Sequence, residues 1–165
     1  MRAKQSMQLR RAHPREAPLL SELALRSKAV WGYPADFLDA CRAELTYRSE
    51  TIADARSTFI VAEREPEIVG FHAMRSLDGS TFELEALFVE PSRIGEGIGR
   101  ALIEDARRRV RDAGGSRLVI QGDPHATGFY LACGAIRTGE RESASLPGRW
   151  LPLFILSTLD TDRSA

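Results

Sequence analysis

Residues 88–102 read FVEPSRIGEGIGRAL, with Gly95, Gly97 and Gly99 alternating with other residues between two patterned segments. Upstream, TFELEALFVE (81–90) alternates as a strand does. Downstream, Ile98, Leu102, Ala106, Val110 and Ala113 recur at helical spacing until Gly114-Gly115 ends the run. A strand, a bare loop and a helix N-terminus in that order make a place to hold an anion. The first-turn N–H groups point outward, the helix dipole adds positive potential, and glycine lets a phosphate approach the backbone. Arg93 and Arg100 flank the loop and can add charge to a pyrophosphate.

Working outward, MQLRRA (7–12) reads as a short strand and HPREAPLLSELALRSKA as a helix with Pro14 in its first turn. Leu19, Leu20, Leu23 and Leu25 supply its apolar stripe. Phe37, Leu38, Cys41 and Leu45 mark a second helix. STFIVAER (57–64) and EIVGFHAMRSL (67–77) form a hairpin through Glu65-Pro66. After the glycine helix come a strand, SRLVIQ, a short helix, PHATGFYLACGA, and a closing strand, RWLPLFILS. Pro152 puts that last strand at an edge or a bulge. The expected order is β-α-α-β-β-β-α-β-α-β: one α/β (α+β) domain with a mixed, mostly antiparallel sheet flanked by helices. The domain is expected over 7–158, with 1–6 a mobile extension and 159–165 a tail.

The chain has 165 residues, enough for one substantial core. Its 23 basic and 23 acidic residues cancel, which gives no electrostatic case for nucleic acid or an anionic membrane as partner. Cys41 and Cys133 show neither CxxC nor metal-ligand spacing and read as reduced thiols of a cytoplasmic protein. No metal is expected. The longest apolar stretch, WLPLFIL (150–156), is far short of the ~20 residues a membrane helix needs. The N-terminus carries no apolar run of the signal-peptide kind.

The loop spacing separates the phosphate-binding types. A P-loop needs Gly-Lys-Ser/Thr, but Gly99 is followed by Arg100-Ala101. The dinucleotide fingerprint GxGxxG fails because Arg100 stands where its third glycine belongs. A methyltransferase-type loop fits Asp123 after the next strand, yet the 42 residues that follow Asp123 are too few for a doubly wound sheet.

LFVEPSRIGEGIGRALIEDA resembles motif A of the GCN5-related N-acetyltransferases, the GNAT superfamily, whose loop reads Arg/Gln-x-x-Gly-x-Gly/Ala. Gly97 and Gly99 match the two small positions; Ile94 stands at the Arg/Gln position, with Arg93 one residue early. QLRRAHPREAPLL resembles the family's opening strand and helix, and GFYLACGAIRTGE its FYxxxGF segment. The resemblance implies acetyl-CoA as co-substrate. Its pyrophosphate would lie on Arg93, Ile94, Gly95, Glu96, Gly97, Ile98, Gly99 and Arg100, and its pantetheine along the backbone of Leu87, Phe88 and Val89. It also implies a contact to the cofactor at Asp123, where the family often has asparagine.

Acetyl transfer to an amine needs a base, an oxyanion donor and a proton for the departing thiolate. An alkylamine of pKa roughly 10.4 arrives protonated at neutral pH. Alternation along 81–90 puts Glu83, Glu85, Leu87 and Val89 on one face. Glu85, nearer the loop, is the candidate base, acting directly or through water. Glu83 is a candidate to raise its pKa or to bind the substrate's ammonium. Backbone N–H groups near Val89 are the candidate oxyanion donors. The resemblance assigns the acid to Tyr130, which also borders the cofactor. The competing readings are two solvated glutamates and a packing tyrosine. His125 reads as a surface or capping residue, and the arginine run of EDARRRVRDAGGSR as a solvated helix face.

For the acceptor, Trp31 and Tyr33 lie at the junction of the first two helices, where the family's acceptor pocket sits, and suit an amphipathic small molecule. Arg149 in SLPGRW is available to a substrate carboxylate. The expected activity is transfer of acetyl from acetyl-CoA to a small-molecule amine by direct attack, with a homodimer left open. The alternatives are another acyl donor, a peptide N-terminus as acceptor, or a non-catalytic CoA-binding domain.

Overall fold

The structure, a computed structural model, describes residues 6–159. The expected extension, except Ser6, and the expected tail, except Leu159, lie outside the described residues. In chain order the elements are β1 (Gln8–Arg11), α1 (Ala17–Ala29), α2 (Ala35–Cys41), α3 (Ser49–Ala53), β2 (Ser57–Arg64), β3 (Glu67–Ser76), β4 (Thr81–Val89), α4 (Ile98–Asp112), β5 (Arg117–Gln121), α5 (Thr127–Ala132), β6 (Ile136–Glu142) and β7 (Trp150–Ser157). Single 3-10 turns at Pro14–Glu16, Pro91–Arg93 and Pro124–Ala126 precede α1, the glycine loop and α5.

The seven described strands make one sheet in the order β1-β2-β3-β4-β5-β7-β6. Every neighbouring pair is antiparallel except β4 with β5. The mixed α+β architecture expected from the sequence is therefore present. Two elements were not expected. α3 contributes a single buried residue, Ile52, and every residue of β6 is exposed, so neither carries an apolar period. β6 is the sheet edge, which moves β7 inside; Pro152 is tolerated there beside irregular pairing at Arg137/Gly139.

Two apolar layers close on the sheet. On one side Ala17, Leu20, Leu23 and Ala24 of α1 pack with Phe59, Val61, Phe71, Ala73 and Ala86. Leu19, assigned to this stripe from sequence, is 55% exposed; the buried line runs through Ala17 instead. On the other side Ile103, Ala106 and Val110 of α4 meet Met74, Leu84, Leu118 and Ile120. Ile98 and Leu102 extend that layer over Ala62 and Val69. Burying each such aliphatic side chain contributes ~1.5–3 kcal/mol, which seats α4 firmly and fixes where its N-terminus points.

The pairing of β3 with β4 corrects the simple alternation read along 81–90. Ala73 pairs Ala86 but Met74 pairs Leu84, so Glu85 is an extra residue, a β-bulge. Before and after the bulge the faces no longer keep step. Phe82, Leu84, Leu87 and Val89 pack on the α4 side, whereas Ala86 and Phe88 pack on the α1 side. Leu87 and Val89 thus do not continue the face of Glu83. The bulge also coincides with the end of the β4–β5 ladder, which pairs only Thr81–Leu84 with Arg117–Ile120. From Glu85 onward the β5 side of β4 lies open.

Candidate active site

A cavity of about 720 Å³ occupies the opening between β4 and β5 and extends toward α1 and α2. It is lined by Glu83, Glu85, Leu87, Phe88 and Val89 from β4, and by Arg93, Ile94, Gly95, Gly97, Ile98, Gly99 and Arg100 from the loop and α4. Asp123 and Tyr130 line it from the β5–α5 segment, and Trp31 and Arg149 from the far wall. Of the site residues expected from sequence, only Glu96 and Tyr33 stand outside this lining. Glu96 turns to Arg64 and to Arg93, 3.8 Å away. Tyr33 braces the wall from behind.

The loop presents an open backbone. Gly95 and Gly97 have φ of +88° and +82°, a conformation that side-chain-bearing residues rarely adopt, and nothing lies within 4 Å of where a Cβ would stand. Gly97 is the N-cap of α4 and supplies no side-chain cap. The first-turn N–H groups are left for whatever enters the cavity. Gly99 answers a different need: a Cβ there would stand 3.3 Å from the Phe129 ring, so its bareness lets α4 and α5 pack closely. Arg93 is shared with Glu67 at 3.3 Å, and Arg100 donates to the carbonyl of Ala132 at 3.2 Å.

Glu85 stands at the bulge inside the cleft. Desolvation there raises its carboxyl pKa; Arg75 opposes the rise and Glu83 adds to it. Glu83 itself pairs with Arg141 of β6 at 3.3 Å. Tyr130 is buried, its ring against Phe154 and Phe129 at centroid distances of 5.4 and 5.2 Å. Burial pushes its pKa up, with Cys133 and Asp123 adding to the effect, so the phenol keeps its proton at neutral pH.

Asp123 knits the far wall together. Its carboxylate accepts from the Tyr33 hydroxyl at 2.8 Å, from the N–H of His125 at 2.9 Å and from Lys28 at 3.4 Å. Arg149 lies 3.6 Å away and donates to the Tyr33 hydroxyl at 2.7 Å. Burial works to raise the Asp123 pKa, but the His125 N–H, Tyr33, the His125 ring and Lys28 outweigh it and hold the group ionised. Tyr33 stacks on Phe37 at 4.1 Å, and Arg149 lies 4.6 Å from the Phe37 centroid. Trp31 stacks on His125 with centroids 5.2 Å apart and rings 11° from parallel.

Residues 23–135 match the model of the acetyltransferase (GNAT) family. The chain belongs to the GNAT family of acetyltransferases. It is 26% identical over 123 residues to a phosphinothricin N-acetyltransferase from Alcaligenes faecalis, a match covering 68% of this chain and 62% of that protein. An aminoglycoside N(6')-acetyltransferase type 1 from Stenotrophomonas maltophilia is 30% identical over 138 residues, covering 76% of this chain and 84% of that one. The PaiA N-acetyltransferase of Thermoplasma acidophilum, solved in complex with coenzyme A, superposes with a TM-score of 0.78 at 16% identity, over 92% of this chain and 99% of that one.

The cleft of this GNAT chain brings together a stretch of β4 left unpaired on its β5 side, open glycines and an α4 N-terminus without a side-chain cap. Among the lining residues not expected from the sequence as site residues are Lys28 and His125. Lys28 carries no motif and reads as an ordinary basic residue near a helix end. His125 reads as a surface residue until Trp31, distant in sequence, stacks on it. Arg108 and Arg111 of the α4 arginine run are exposed, as expected of a solvated face, but the run also makes specific contacts. Arg108 and Arg109 hold the buried Asp105, each at 2.8 Å, and Arg107 donates to the carbonyl of Ser157 at 2.9 Å. Among the described residues no helix is long and apolar enough to cross a membrane.

Proposed function

We propose that this GNAT chain is an acyl-CoA-dependent enzyme that transfers acetyl from acetyl-CoA to the amine of a small molecule by direct attack, with Glu85 as base and Tyr130 as acid. The observation that carries the reading is that Glu85 and Tyr130 border one cavity with the open backbone of β4 and the uncapped start of α4. Acetyl-CoA supplies the acetyl group already activated as a thioester. Its pyrophosphate is assigned to the Gly95–Arg100 loop and its pantetheine to the backbone of Leu87, Phe88 and Val89.

Glu85, its pKa raised, takes a proton from the substrate ammonium directly or through water, so that a neutral nitrogen can attack the thioester carbon. The N–H groups about Val89 steady the carbonyl oxygen as it gains charge. The attacking nitrogen, now cationic, gives its second proton to solvent. As the C–S bond breaks, Tyr130 donates its proton to the sulfur and regains one from solvent, and Glu85 releases to solvent the proton it took. Trp31, Tyr33, Glu83, Asp123 and Arg149 form the acceptor wall, which moves Asp123 from the cofactor to the acceptor. The two free, buried cysteines suit a reducing, cytosolic setting.

The test is thiol release from acetyl-CoA across a broad amine panel. Amine-dependent release supports the reading; a protein that binds acetyl-CoA but releases no thiol with any amine is a sensor rather than an enzyme. For Glu85→Gln, turnover should fall most at neutral pH and recover in part by pH 9.5, where more of the amine is already neutral. A ratio of variant to parent rates that stays flat from pH 6.5 to 9.5 would remove Glu85 as base.

A further inference from the structure

The acceptor wall of the cavity has two electrical poles. At β4 stand Glu83 and Glu85, both lining the cavity. Glu83 is met by Arg141, whereas Glu85 has no ion pair among the described residues. Opposite, Lys28 and Arg149 line the same cavity and share one carboxylate, Asp123, at 3.4 and 3.6 Å. Asp123 is further engaged by Tyr33 and the His125 N–H. Glu44 is the other acid of this wall, and its carboxylate is turned to the hydroxyl of Ser145. Lys28 and Arg149 are held in place rather than free-swinging. Their side chains are only 16% and 20% exposed, and both lie against the Tyr33–Phe37 stack at centroid distances between 4.6 and 5.8 Å.

Ordering two long cations around one carboxylate costs desolvation and side-chain entropy that a neutral or cationic ligand would not repay. A ligand anion would. Arginine offers a planar fork to a carboxylate or phosphinate-type oxyanion, and lysine a point charge beside it. We propose that the acceptor is an amine carrying its own anionic group, a zwitterion whose ammonium faces Glu85 and whose oxyanion is bound by Lys28 and Arg149. The proposal rests on the acetyl-transfer reading above and names its substrate class. Polycationic amines are disfavoured, since they would bring a second positive charge against the Lys28–Arg149 pole.

A ladder of amino carboxylates from glycine to 6-aminohexanoate tests this, each compared with its methyl ester and with the alkylamine lacking the carboxyl group. At least one chain length should show kcat/KM ten times or more above its ester. The best length reports the spacing between the poles. In Arg149→Gln and in Lys28→Gln, the carboxylate-to-ester ratio at that length should collapse at least tenfold, mainly through KM. Because the ratio is taken within one variant, any general loss of folded enzyme cancels. Esters, plain alkylamines or diamines turned over as well as the carboxylates would overturn the anionic class while leaving acetyl transfer standing. The absence of thiol release with every amine tried, while calorimetry shows acetyl-CoA bound, would overturn both readings.

Discussion

Tyr130 has two roles pressed on it by its surroundings. Its ring is packed against Phe129 and Phe154, and a Cβ at Gly122 would stand 2.9 Å from it, so the residue is a core side chain as well as a cavity wall. Burial raises the phenol's pKa above its ordinary 10, which keeps the proton on and makes Tyr130 a donor at all neutral pH values. Tyr130→Phe keeps the ring and the packing, so the melting temperature and acetyl-CoA affinity should change little. Turnover should fall by roughly 10²–10⁴-fold, the range for losing a general acid. The loss should shrink with a thioester whose thiol is much more acidic, because that group leaves unaided. Turnover close to the parent's with acetyl-CoA would reduce Tyr130 to its packing role.

Among the elements, the loop before α4 is where shape and binding are hardest to separate. Gly97 sits at φ +82°, and the left-handed region costs a residue bearing a side chain about 1–2 kcal/mol. Gly97→Val therefore should lower stability by about that much and, separately, weaken acetyl-CoA binding tenfold or more by blocking close approach of phosphate. Thermal unfolding and calorimetry read the two effects apart. An unchanged affinity in the folded variant would mean that the loop's glycines serve only the turn. Gly99→Ala is the informative companion: its backbone is ordinary, and its cost should come from crowding Phe129.

At the scale of the whole molecule, α4 is tied to the sheet by a buried pair, His72 and Asp105, with Nε2 and Oδ2 2.8 Å apart and both side chains 1% exposed or less. Burial lowers the His72 pKa below its ordinary 6.5, although Asp105 pulls the other way. The unfolded chain then binds a proton near pH 6.5 that the folded chain refuses, so stability falls as pH drops below that value. Burial acts to raise the Asp105 pKa, but His72 and Arg109 overcome it and bring it to about 2. That stability is present above the unfolded carboxyl value of 3.8 and is lost as pH falls toward 2. Melting temperature should decline in two stages on acidification, and His72→Gln should remove the first, between pH 7 and 5. A wild-type curve flat across pH 7 to 5 would contradict this account.

Much of this was legible residue by residue because local patterns carry it. The alternation of 57–64 and 67–77, the helical period from Ile98 to Val110 and the bare loop between strand and helix all arise from steric and hydrophobic preferences acting over a few neighbours, and they determine the elements and the open loop before α4. β6 and α3 escaped because an all-exposed edge strand and a helix with one buried residue carry no period. What only the tertiary structure decided depends on pairing between distant segments. The bulge at Glu85 exists because β3 and β4 change register there, which turns Leu87 and Val89 to the α4 side. The Asp123–Tyr33–Arg149 cluster joins residues 90 and 116 positions apart. No local preference encodes such contacts; they form once the paired sheet and the docked helices bring three separate loops to one wall of the cavity.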